Sequence, residues 1–247
     1  MAFKQPLARS PPATLLHLVA LGTLSWAFHE LFLPGPMTDF MATKTGGRWE
    51  YLTILSLAAS WLTFACALAF DLVPLQLLSR AKTTLAVLVV PIEGLVSVLY
   101  WSLMLVDPAL LNPATAPGEE PFRIPLKLDI ALHALPALFL WTDFLAFSPP
   151  FPQQARPAVI ATTATAAYCA WMEYCAQGNG GTYPYPMLND MSRLPRTAFY
   201  VVQVPVLIGL FHVANAVHRA VRGSSSSAQQ PEAQKVRRAE AKVAKAL

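Results

Sequence analysis

The sequence predicts an all-α, polytopic membrane protein with six transmembrane helices and both termini on the cytosolic side. Three observations carry that prediction. Of the 247 residues, 55 % are hydrophobic and only 13 % charged, against a charged share of about 25 % in an average soluble domain. Six stretches reach the roughly 20 apolar residues that a helix needs to cross a bilayer. Lys and Arg are also unevenly shared between the segments that join them, as expected of a chain with a fixed orientation. A mean hydropathy of +0.43 argues against a soluble enzyme, a disordered chain and a coiled coil.

The six stretches lie at 13–33, 51–71, 84–106, 126–147, 158–176 and 197–220. The first is too long and too polar, with His29 and Glu30 near its end, for a simple cleavable signal peptide. Between the stretches sit Pro34-Gly35-Pro36, the run from Pro113 to Pro125, Ser148-Pro149-Pro150-Phe151-Pro152 and Gly178-Asn179-Gly180-Gly181. Such proline and glycine clusters mark turns. With the N-terminus inside, the inner segments hold Lys4, Arg9, Arg80, Lys82, Arg156, Arg219, Arg222 and five residues of the tail. The outer segments hold Lys44, Arg48, Arg123, Lys127, Arg193 and Arg196. The chain therefore divides into a six-helix membrane domain, 1–222, and a flexible basic cytosolic tail, 223–247. That tail suits either an anionic leaflet or a purely solubilising role. It accounts for most of the net charge of +4, so no basic face remains for nucleic acid.

Ionisable groups inside a span are expensive, so each is a candidate for function. His29, Glu30, Thr53, Asp129, His133 and Glu173 fall toward the outer side. Asp71, Glu93, Asp143 and His218 fall toward the inner side, with His17 and His212 deeper in their spans. Thr53, Ser56, Ser60 and Thr63 follow a 3-4-3 spacing that shares one helix face; small hydroxyl residues at such spacing also let membrane helices pack closely. Asp129 and His133 are i, i+4 neighbours, close enough for a carboxylate to orient an imidazole. Asp129 is equally placed to pair with Lys127 or Arg123. The cysteines Cys66, Cys169 and Cys175 have neither a disulfide framework nor a metal-knuckle spacing. No H-E-x-x-H, phosphate loop or Gly-x-Ser-x-Gly elbow is present, so neither metal nor cofactor is expected.

Several segments resemble the androgen-induced gene 1 and androgen-dependent TFPI-regulating protein family. Gly46-Gly47-Arg48-Trp49-Glu50-Tyr51-Leu52-Thr53 is similar to the family's entry to its second span, and Phe70-Asp71-Leu72 to its exit. Val90-Pro91-Ile92-Glu93-Gly94 through Tyr100-Trp101, then Asp107 and Pro113, resembles the third span and its loop. Leu128-Asp129-Ile130-Ala131-Leu132-His133, followed by Leu135-Pro136, resembles a Leu-Asn-His-x-x-His segment. Trp171 and Tyr183-Pro184 resemble the fifth span and the loop after it. The resemblance covers about 46–200, and departs from the family at Glu50, Asp129 and Ile130.

It implies an intramembrane hydrolase of fatty acid esters of hydroxy fatty acids, with Thr53 as nucleophile and His133 as base. Its expected partners are that lipid substrate and the surrounding membrane lipids, and its expected home is an endomembrane such as the endoplasmic reticulum, or the plasma membrane. Asp129 would orient His133, Arg48 would bind a free carboxylate or act as an interfacial anchor, and Glu173 is a further supporting residue of the site. Backbone N–H groups at the start of the second span are the first candidates for an oxyanion site. The rival expectation is a small transporter or a lipid-binding membrane scaffold, with Glu93, Asp143 and Glu173 marking its pathway.

Overall fold

A computed structural model describes residues 10–112, 122–152 and 154–243, with side chains through Arg222. Lys4, Arg9, most of the proline-rich run after Asn112 and the side chains of the basic tail lie outside the described residues. The described residues form helices and no strands: α1 (Pro11–Phe32), α2 (Pro36–Ala42), α3 (Leu52–Leu72), α4 (Gln76–Val106), α5 (Leu126–His133), α6 (Leu135–Ala146), α7 (Pro157–Gly178), α8 (Pro186–Asn189) and α9 (Arg193–Val243). Five helices or helix pairs are long and apolar enough to cross a membrane: α1, α3, α4, α5 with α6, and Arg193–Arg222 of α9. The predicted fifth span corresponds to α7, whose 22 residues match α1 in length. Thr162, Thr163, Thr165, Glu173 and Gln177 lower its apolarity below that of the other five.

Local chemistry explains where the helices begin and how they meet. Ser10 caps α1 by accepting from the Ala13 N–H at 3.4 Å, with Pro11 and Pro12 in the first turn, where prolines have no hydrogen bond to lose. The buried residues of α1, namely Ala13, His17, Ala20, Leu24, Ala27 and Leu31, repeat at alternating steps of four and three. α1 packs against α3, α5 and α6, and α3 carries a buried set of small residues, Ser56, Ser60, Thr63 and Ala67, of which Ser60 meets Glu93 of α4. Lipid tails are as apolar as leucine, so association relies on close packing, which small residues permit. The α3 hydroxyls do not point into lipid. Ser56 donates to the Thr53 carbonyl at 3.2 Å and Thr63 to the Ala59 carbonyl at 2.7 Å, while Ser60 Oγ lies 2.8 Å from both the Ser56 carbonyl and Glu93 Oε1.

Two features differ from the sequence expectation. The third span starts eight residues early, at Gln76, and so takes Lys82 into the bundle, where it is 1 % exposed. Its ammonium meets Asp143 at 2.6 and 2.8 Å and Ser148 Oγ at 3.0 Å. His17 completes the group, with Nδ1 2.7 Å from Asp71 and Nε2 2.9 Å from Asp143. Two carboxylates thus face a lysine and both ring nitrogens of a histidine. The second difference is a break in the fourth span at Ala134 (φ −124°, ψ −49°), directly after His133. Pro136 has no N–H to return to the Leu132 carbonyl, which is how proline interrupts a helix.

Candidate active site

The second polar group forms at the other end of the bundle, where α3 begins and α4 ends. Thr53 is the second residue of α3. A helical threonine usually bonds back to the carbonyl four residues earlier, which here belongs to Trp49 and accepts from Trp171 Nε1 at 2.8 Å. The Leu52 N–H is capped by two phenols, donating to Tyr168 at 3.1 Å and Tyr185 at 3.2 Å. That N–H is therefore committed to the two phenols. Tyr168 in turn donates to the Glu50 carbonyl at 3.0 Å. The Tyr185 phenol lies beside the Thr53 hydroxyl. Burial pushes the Tyr185 phenol above the ordinary tyrosine value, so it remains protonated.

His133 ends α5, and the break that follows leaves its ring held by side chains rather than by a continuing helix. Nδ1 lies 2.8 Å from Asp129 Oδ1 and 3.1 Å from the Asp129 carbonyl. An imidazole that donates from Nδ1 keeps its lone pair on Nε2. Asp129 is buried with it and pairs with neither Lys127 nor Arg123 among the described contacts. Tyr100, from α4, lies flat on the imidazole, with centroids 3.4 Å apart and planes 1° from parallel. No sequence signal joins positions 100 and 133; only the packing of α4 on α5 reveals the contact.

Two apolar clefts of about 110 Å³ each meet at Thr53. Thr53, Tyr100, Leu111 and Tyr185 line both. One runs between α4, α7 and α9 past Leu95, Ala164, Tyr200 and Leu207. The other runs between α1, α2 and α5 past Met37, Ile124, Leu128 and His133. Thr53 and His133 therefore line one cleft, and Asp129 holds the imidazole without lining the cleft itself. The other two expected residues sit apart from it. Arg48 donates to the Leu31 carbonyl at 3.0 Å and stacks over Phe32 at 3.8 Å, at the C-terminal end of α1, where a cation meets the negative end of the helix dipole. Glu173 pairs with Arg196 at 3.2 Å and accepts from Tyr183 at 2.9 Å, and it lines neither cleft. Among the described residues no group of three or more His, Cys, Asp or Glu side chains could hold a metal ion.

A helical membrane bundle with a half-buried threonine and a buried histidine and aspartate beside apolar clefts defines an integral membrane protein with a polar site among its helices. The chain belongs to the FAR-17a/AIG1-like protein family, whose family model matches residues 13–219. A UPF0641 membrane protein of Schizosaccharomyces pombe is 33 % identical over 206 residues, which cover 83 % of this chain and 89 % of that protein. No solved structure matches the chain.

Proposed function

We propose that the protein is an intramembrane carboxylic ester hydrolase acting on fatty acid esters of hydroxy fatty acids, with Thr53 as nucleophile and His133 as general base. One observation carries this reading: Thr53 shares an apolar cleft with a histidine whose Nδ1 is held by a buried carboxylate at 2.8 Å. A threonine hydroxyl attacks only when a base takes its proton. His133 Nε2 is the nitrogen left for that task. Attack on the ester carbonyl gives an acyl-threonine and frees the hydroxy acid; water activated by the same imidazole then releases the fatty acid. The clefts seat alkyl chains, and the site lies at the end of the bundle, within reach of interfacial water. With both termini cytosolic, that end faces away from the cytosol, in an endomembrane such as the endoplasmic reticulum or in the plasma membrane.

Transport is less well supported. Its three acids have separate partners: Glu93 with Ser60, Asp143 with Lys82 and Glu173 with Arg196.

The test is labelling of the detergent-solubilised protein by a fluorophosphonate probe, wild type beside Thr53→Ala and His133→Ala. Labelling of the wild type alone is the expected result. Equal labelling of all three, or none of a folded wild type, overturns the reading.

A further inference from the structure

The two clefts share Thr53 but not His133, which lines only the one that also holds Leu128. This asymmetry matters for an ester, which must be cut between two chains. In the hydrolase reading, on which the inference rests, the Thr53 Oγ–carbon bond forms, the Thr53 proton passes to His133 Nε2, and the carbonyl π pair moves onto oxygen. When the tetrahedral intermediate collapses, the carbon–alkoxy bond breaks and the departing oxygen takes that proton from Nε2. The leaving oxygen must then lie on the imidazole side, and the acyl chain, whose carbonyl carbon stays bonded to Thr53, extends away from it.

We propose that the clefts divide the substrate at its ester: the hydroxy-acid half lies in the His133 cleft and the transferred acyl chain in the Tyr200 cleft. The surroundings of each cleft fit the half assigned to it. The His133 cleft carries polar groups at the half-buried Glu30 and Thr38 and the buried Asn112, and the carboxyl end of the hydroxy acid reaches water past Thr38. The Tyr200 cleft shares Leu52, Ile92, Ala164 and Tyr168 with a side groove of about 350 Å³ between α3, α4 and α7. A plain alkyl chain longer than the cleft runs out through that groove into lipid. The two ends of the substrate therefore leave the protein in chemically different directions.

The experiment crosses two substrate series with two pairs of variants of the full-length, purified protein. One series varies the acyl length against a fixed hydroxy acid; the other varies the hydroxy-acid length against a fixed acyl chain. Ala164→Phe and Leu207→Trp narrow the Tyr200 cleft, and Leu128→Trp and Met37→Trp narrow the His133 cleft; two in each keep the test open if one fails to fold. The first pair is expected to lower kcat/KM for long over short acyl chains by on the order of ten-fold, leaving the dependence on hydroxy-acid length unchanged. The second pair is expected to do the reverse. Interchanged sensitivities, or equal sensitivity of both pairs to both series, overturn the assignment while leaving the hydrolase reading intact. Absence of turnover by folded wild type overturns both.

Discussion

Thr53 stands in the first turn of α3, with its hydroxyl beside the Tyr185 phenol. A residue deeper in the helix finds a carbonyl for its hydroxyl four positions back, as Thr63 does at 2.7 Å; for Thr53 that carbonyl belongs to Trp49 and also accepts from Trp171. Thr53→Ala is expected to abolish turnover without loss of folded protein, checked by ester hydrolysis beside size-exclusion behaviour in detergent. Asp129→Asn keeps the size of the side chain but weakens its hold on Nδ1, and is expected to lower turnover by about 10²-fold or more, read as kcat on the same preparation. The sequence reveals Asp129 and His133 as i, i+4 neighbours, but only family resemblance singles out Thr53 from fourteen other threonine-rich or serine-rich choices of equal composition along the spans. Tyr100 escapes sequence reading altogether, because a ring stacked across two helices leaves no spacing to recognise.

At the level of the elements, hydropathy makes the long helices visible and their irregularities invisible. The break after His133 hides within a stretch that is apolar on both sides, and Pro136 reads only as a tolerated proline. The Gly46-Gly47 pair reads as a turn, yet Gly46 is required for close approach: a Cβ there would lie 2.5 Å from Glu50 Cγ and 2.6 Å from Cys175 Sγ. Glu50 is itself buried and accepts from the Gly46 N–H at 3.1 Å and from Asn179 Nδ2 at 2.6 Å, so the segment leading into α3 is pinned to the end of α7. Gly46→Ala is expected to destabilise by about 1–3 kcal/mol through overpacking, read as a lower Tm in detergent. Gly22→Ala is the control, since a Cβ at Gly22 meets nothing within 4 Å, and its Tm is expected to be unchanged or raised.

Across the whole molecule, the two polar groups occupy opposite ends of the bundle, with chemistry at one and charge pairing at the other. The pairing group was legible only in pieces. Asp71, Asp143 and His17 stand out as costly intramembrane residues, but Lys82 looks like a loop cation because charge-counting assigns lysines to loops. Removing one member of a buried pair leaves the other uncompensated, so Lys82→Met is expected to cost about 3–5 kcal/mol. Thermal unfolding in detergent measures the loss, and adding Asp143→Asn is expected to return part of it. Below the lowered Tm, probe labelling at Thr53 should persist, since the two groups share no residue.

The same group sets an order of assembly. Synthesis delivers His17, Asp71 and Lys82 to the membrane before Asp143, because chains are made and begin to fold from the N-terminus. Until α6 arrives, His17 and Lys82 have a single carboxylate between them, and a buried charge left without its partner is costly. The first three long helices are therefore expected to gain their full stability only when α6 enters. A polypeptide truncated before residue 143 is expected to be a client of membrane quality control rather than a smaller bundle.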